Sequence, residues 1–100
     1  MAKNEVILNV RMEAVPGREA ELESHLNGLV GPTRAEAGCI SYDLHRSVDN
    51  AGHFMFCETF ASQDALDAHV ASPHFQDFVR YRENNDPVAT VQVSKWVKIA

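Results

Sequence analysis

Along residues 5–14, EVILNVRMEA, Val6, Leu8, Val10 and Met12 take every second position, and Ile7, Asn9, Arg11 and Glu13 take the others. That two-residue period predicts a first strand, with Asn9 and Arg11 as the polar members of its second face. From Pro16–Gly17 onward the spacing becomes helical. Leu22, Leu26, Leu29 and Val30 form a stripe, while Arg18, Glu19, Glu21 and Glu23 cover the outside. Gly28, Gly31 and Pro32 predict a kink or break, because an interior proline costs about 3 kcal/mol. A last helical turn would then end at Gly38, with His25 exposed. Residues 39–47, CISYDLHRS, alternate again: Ile40, Tyr42, Leu44 and Arg46 on one face, Cys39, Ser41, Asp43 and His45 on the other.

The turn-forming run Asp49–Asn50–Ala51–Gly52 sends the chain back antiparallel into a third strand at His53. In that strand Phe54, Phe56, Glu58 and Phe60 alternate with Met55, Cys57 and Thr59, so both faces carry apolar groups. Ser62 stands at an N-cap position with Asp64 in the first turn behind it. Ala65, Leu66, His69 and Val70 then share one helical face. Pro73 stops that helix and begins another, whose inner face is Phe75, Phe78, Val79 and Arg82. After Asn84–Asn85–Asp86–Pro87, residues 88–99 predict a final strand with Val91, Val93, Val97 and Ile99 on one face and Trp96 on the other.

The order β-α-β-β-α-β predicts a single α+β domain over residues 1–100, with a ferredoxin-like antiparallel sheet and its helices on one face. A sheet apolar on both faces but covered on one leaves an association surface. The expected outcome is a homodimer with sheets packed face to face, a dimeric α/β barrel.

Composition narrows the partners. A net charge of −5 with nine scattered Lys and Arg residues gives no basic patch for nucleic acid and no attraction to an anionic membrane. No apolar run approaches the roughly 20 residues of a membrane span, and the N-terminus lacks the pattern of a signal peptide. Strand pairing places Cys57 near Leu44, too far from Cys39 for a disulfide, so a reduced cytoplasmic protein is expected.

GxGxxG, GxxxxGK[ST], CxxC, HExxH and GxSxG are all absent from the sequence. His69, His74 and Glu58 would make a two-histidine, one-carboxylate metal set. The five-residue histidine spacing across Pro73 does not put both rings on one helical face, and no metal is expected. His69 could equally be a hydrogen-bonded core residue and His74 a helix cap. The functional alternative groups His69, His74, Asn9 and either Tyr42 or His45 around one helix–sheet cleft. Imidazoles beside an apolar cavity suit proton abstraction from a phenol or an enol.

The strings GCISYDLHRS, FMFCETF and SQDALDAHVASPHFQDF, together with Pro16–Gly17, resemble the antibiotic biosynthesis monooxygenase family. Its members, quinol monooxygenases among them, are small dimeric ferredoxin-like proteins, and the resemblance spans nearly the whole chain. It implies an oxygenase needing neither metal nor flavin, acting on dioxygen and a small aromatic or quinol-like substrate whose anion reduces oxygen directly. On that footing His69 or His74 is the base, and Asn9 and Tyr42 orient the substrate oxygens. His45, Glu58, Phe54, Phe56, Phe75 and Phe78 line the binding site. Haem-degrading members carry a second-helix Trp and a later haem-ligating His; this chain has His69 and Val79 about there, so haem degradation is not expected. An isomerase branch acting on a phosphorylated autoinducer sugar, and a non-catalytic ligand-binding or stress-response dimer, are the alternatives.

Overall fold

The computed structural model describes residues 4–100. Its elements are β1 (Val6–Ala14), α1 (Glu19–Arg34), β2 (Cys39–Arg46), β3 (His53–Phe60), α2 (Gln63–Val70), α3 (Pro73–Asn85) and β4 (Val88–Trp96). The four strands form one antiparallel sheet in the order β2-β3-β1-β4. This is the ferredoxin-like arrangement that the alternation and the turn signals predict.

Alternation decides which side chains reach the helices. Leu8 and Met12 of β1, Tyr42 of β2, and Phe54, Phe56 and Phe60 of β3 pack with Leu22, Leu26 and Leu29 of α1, Leu66 of α2 and Phe78 of α3. Removing each large apolar side chain from water contributes roughly 1.5–3 kcal/mol. Helix cover stops short of β4. Val91 and Val93 pair with Met12 and Val10 and share their face of the sheet, yet remain 42% and 63% exposed. The sheet's other face carries Ile7, Asn9, Arg11, Met55 and Cys57, and no element of the described residues covers it.

Local expectations fail in instructive places. Helix α1 runs unbroken through Pro32 to Arg34. Proline removes only the hydrogen bond to the Gly28 carbonyl, and Gly28 is exposed, so water can take the vacant acceptor. Helix α1 begins at Glu19 rather than at Pro16–Gly17, where Gly17 takes a φ of +89° that suits a glycine turn. A bulge between Cys39 and Ser41 pushes Ile40 out to 55% exposure and turns Cys39 toward the core, so Ile40 does not share Tyr42's face. Cys57 pairs with Asp43, one residue from the expected Leu44, and both thiols are free. Strand β4 ends at Trp96, leaving Val97 and Ile99 outside the sheet. His25 is exposed as expected and stacks on Tyr81 at 3.7 Å.

Candidate active site

Two short helices joined by a tight corner bring the chemistry together. The Ser62 hydroxyl accepts from the Ala65 amide and starts α2; the Ser72 hydroxyl accepts from the Phe75 amide and starts α3, with Pro73 in its first turn. The Ser72 hydroxyl also donates to the His69 carbonyl at 2.6 Å, tying the end of one helix to the start of the next. His69 therefore lies in the last turn of α2 and His74 in the first turn of α3. Being on different helices does not separate them. Both rings converge on one carboxylate.

That carboxylate is Glu36, from the loop between α1 and β2. Nδ1–H of His69 donates to Glu36 Oε2 at 3.0 Å, and Nε2–H of His74 donates to the same oxygen at 2.6 Å. An ionised carboxylate only accepts, so both facing nitrogens carry protons. Nε2 of His69 is the nitrogen left free in a neutral ring. His69 is 3% exposed, among Tyr42, Phe60 and Phe75 with ring centroids 5.5, 5.1 and 5.0 Å away. Gly38 lets the loop come this close, since a Cβ there would collide with the Cβ of Ala65 on α2.

His69 opens onto a cleft of about 410 Å³ between sheet and helices, walled by Leu8, Val10, Phe56, Leu66, Phe75 and Phe78 and reaching the bare valines of β4. Two further polar groups face it. The Tyr42 phenol, held by burial and then by the charge of Glu58, lies far above its ordinary pKa and stays a neutral hydrogen-bond donor. Glu58 is 5% exposed, and no side chain of the described residues hydrogen-bonds it. Burial, and then the negative charge of Glu36, push its carboxyl up to about 7.

The cleft brings some of the expected residues together and leaves others elsewhere. His69, Tyr42, Glu58, Phe56, Phe75 and Phe78 line the cleft. His74 braces Glu36 from behind and does not line it. Asn9 lies on the opposite face of the sheet, where its side chain meets Cys57 and Arg11. His45 is on that face too, with Nδ1 at 3.2 Å from the Met55 carbonyl. The two-residue strand period forbids either from joining His69 within one chain. Phe54 is in the core but away from the cleft, where β3 pairs with Met12 and Arg46.

Glu58 is also not the carboxylate beside the two histidines. Glu36, His69 and His74 each offer a ligand atom, all within 4.8 Å of one another, the donor set of a divalent-cation site. A cation there would compete with both N–H···O bonds, because it needs the lone pairs those protons now occupy.

The antibiotic biosynthesis monooxygenase family model matches residues 5–81. The chain belongs to that family. The solved structure of PA3566 from Pseudomonas aeruginosa is similar to it at a TM-score of 0.93 and 32% identity, covering 100% of this chain and 99% of that one. The structure of Rv0793 from Mycobacterium tuberculosis gives a TM-score of 0.87 and 31% identity, over 97% of each chain. In sequence, "Putative monooxygenase Rv0793" is 41% identical over 63 residues, 63% of this chain and 61% of that protein. A Synechocystis protein, sll1783, is 28% identical over 99% of this chain. The chain spans about two thirds or less of the length of these two curated relatives, 61% and 66%.

The histidine-bearing helix corner was legible in the sequence, whereas Glu36 was not. Its only local signal is its place as the single acid in the small-residue run Ala35–Glu36–Ala37–Gly38 before a strand. Such a run lets a loop lie flat against a neighbour, though it does not say which neighbour.

Proposed function

We propose that this cleft is the active site of a cofactor-independent monooxygenase acting on a small, flat phenolic or quinol-like substrate. The observation that carries the reading is His69, fixed through Nδ1 by Glu36 and left with a free Nε2 beside an apolar cleft. Monooxygenase names among the relatives support the reaction type.

The chemistry asks little of the protein beyond placement and charge control. Nε2 of His69 takes the substrate's acidic proton, and Glu36 stabilises the imidazolium that forms. Tyr42, held neutral, donates to the substrate oxygen as negative charge grows there. The aromatic anion is the reductant and dioxygen the oxidant. One oxygen atom becomes a carbonyl of the product; the other leaves as water with the two hydrogens the substrate surrendered. Apolar walls from Leu66, Phe75 and Phe78 exclude bulk water from the anion.

Two acid–base groups, His69 and Glu58, on one cleft would also suit proton shuttling in a hydroxyketone isomerase. The walls argue against it, because Leu8, Val10, Phe56, Phe75 and Val93 match an aromatic face better than a sugar phosphate. We further propose that the open sheet face, with Ile7, Met55 and Trp96 on it, pairs with a second copy. Free Cys39 and Cys57 fit a reducing compartment such as the cytoplasm.

Oxygen uptake by metal-stripped, flavin-free protein, measured against a panel of quinols and hydroxyanthrones, tests the activity. Uptake above autoxidation that chelator leaves intact supports it. Dependence on added iron would overturn the cofactor-free reading in favour of the Glu36, His69 and His74 donor set. Flat traces throughout would remove the oxygenase.

A further inference from the structure

Strand register lays out a second end to the cleft. Leu8 of β1 pairs with Glu58 of β3 on one side and with Lys95 of β4 on the other. Partners directly across a sheet point to the same face, so Glu58, Leu8 and Lys95 form one row along the cleft floor. Two strand spacings separate the carboxyl-bearing and ammonium-bearing backbones by about 10 Å. Lys95 lines the cleft on its open β4 side, against the start of α2, where Nζ donates to the neutral Gln63 Oε1 at 3.2 Å.

Charge at this end is uncompensated. Arg82, the other cation on the cleft, is held by both carboxylate oxygens of Asp86 at 3.1 and 3.2 Å. Lys95 makes no ion pair among the described residues. Between the two ends the floor and roof are hydrocarbon: Leu8, Val10, Leu66, Val70 and Val93. An elongated ligand with one acidic hydroxyl at the Glu58 and His69 end would therefore bring its far end to a lone ammonium. A single ammonium suits a group of one negative charge, such as a carboxylate. A phosphate dianion calls on several donors at once, which Lys95 alone does not supply.

We propose that Lys95 selects hydroxyaromatic carboxylates of about two fused rings, with hydroxyl and carboxylate at opposite ends of the ring system. This rests on the cleft being the binding site for an aromatic, and it deepens that reading without needing oxygen to react. The leucine and valine floor grips the ring faces, the inner polar groups receive the hydroxyl, and Lys95 receives the carboxylate. Substrates lacking the far carboxylate, or carrying it beside the hydroxyl near Glu58, would bind more weakly.

Anaerobic fluorescence titration of the whole protein provides the test, with 6-hydroxy-2-naphthoic acid, 3-hydroxy-2-naphthoic acid and 2-naphthol as probes. The far-end carboxylate should bind about five- to tenfold more tightly than either other probe, the scale of one ion-pair hydrogen bond weakened by solvent at an exposed lysine. Lys95→Ala should collapse that ratio toward one, Lys95→Arg should keep most of it, and Lys95→Glu should reverse it. Equal affinities in the wild type, no binding of any probe, or a preference that survives Lys95→Ala and disappears with Arg82→Ala would each overturn the assignment. Preferential binding without oxygen uptake on any substrate would uphold it while removing the oxygenase.

Discussion

Glu36 and Glu58 are two carboxyl groups withdrawn from water, one behind His69 and one on the cleft floor, and their surroundings could hardly differ more. Glu36 comes from a loop and is tied by two imidazoles, one of them on each of two helices. Glu58 comes from the middle of a strand and has aromatic and aliphatic neighbours, with no side chain of the described residues bonded to it. The first arrangement fixes geometry: a partnered charge holds its histidine in one orientation and one tautomer. The second stores a proton, because an unpartnered carboxyl in an apolar setting keeps it up to about pH 7. On the proposed reading a base needs placement, whereas the floor of a binding site needs to adapt to what arrives, and the chain would divide these tasks between loop and sheet.

The sharpest way to break that division is to remove the proposed base. On the proposed function, His69→Ala should lower turnover by about 10²–10⁴-fold, roughly 3–5 kcal/mol of barrier, while the fold persists. Steady-state oxygen uptake, read alongside circular dichroism and oligomeric mass, checks this. A purely structural histidine would instead destabilise the protein and leave its folded fraction fully active.

The stored proton predicts a pH dependence of stability. Between pH 4.5 and about 7 the folded state retains the Glu58 proton that the unfolded chain releases. Stability should therefore fall as pH rises through that window, by about 3 kcal/mol if the other groups facing Glu58, namely Glu36, Tyr42, His69 and Lys95, keep their states. Glu58→Gln should flatten the decline. Urea unfolding at several pH values measures it, and an unchanged slope in the variant would show that Glu58 ionises freely.

Next in size is the contact that delivers Glu36. Gly38→Ala places a methyl against Ala65 and should cost about 1–3 kcal/mol of stability. A loop displaced from α2 would also part Glu36 from His69, so the histidine NMR resonances should shift together with the loss. The smallest effect belongs to the cap. Ser62→Ala should cost about 1 kcal/mol by thermal or chemical unfolding, with little change in oxygen uptake.

Much of this was legible in the chain because alternation and capping are local. Phe56, Glu58 and Phe60 declared their common face, and Ser62 and Pro73 declared where two helices begin. Three things were not local. The bulge at Ile40 shifts which β2 residues face the helices, and nothing in CISYD marks it. Asn9 and His45 looked useful by type, but the strand period turns them to the other face. Glu36 and Lys95 take their meaning from elements far away in sequence, reached through the Gly38 contact and through two strand registers. Side-chain identity suggested the chemistry, and topology chose which side chains take part.

One hydroxyl ties the two helices of the corner together. Ser72 Oγ donates to the His69 carbonyl and accepts from the Phe75 amide, which couples the end of α2 to the start of α3. On the proposed reading a ligand would enter by flexing β4, which among the described residues pairs with one strand only and leaves Val91 and Val93 largely exposed. Amide deuterium exchange should therefore be fast along β4 and slow at the helix corner, and a bound aromatic should slow the strand while leaving the corner unchanged. Product release would follow the same route, so the departure rate would be set by the looseness of an edge strand while the histidines stay still.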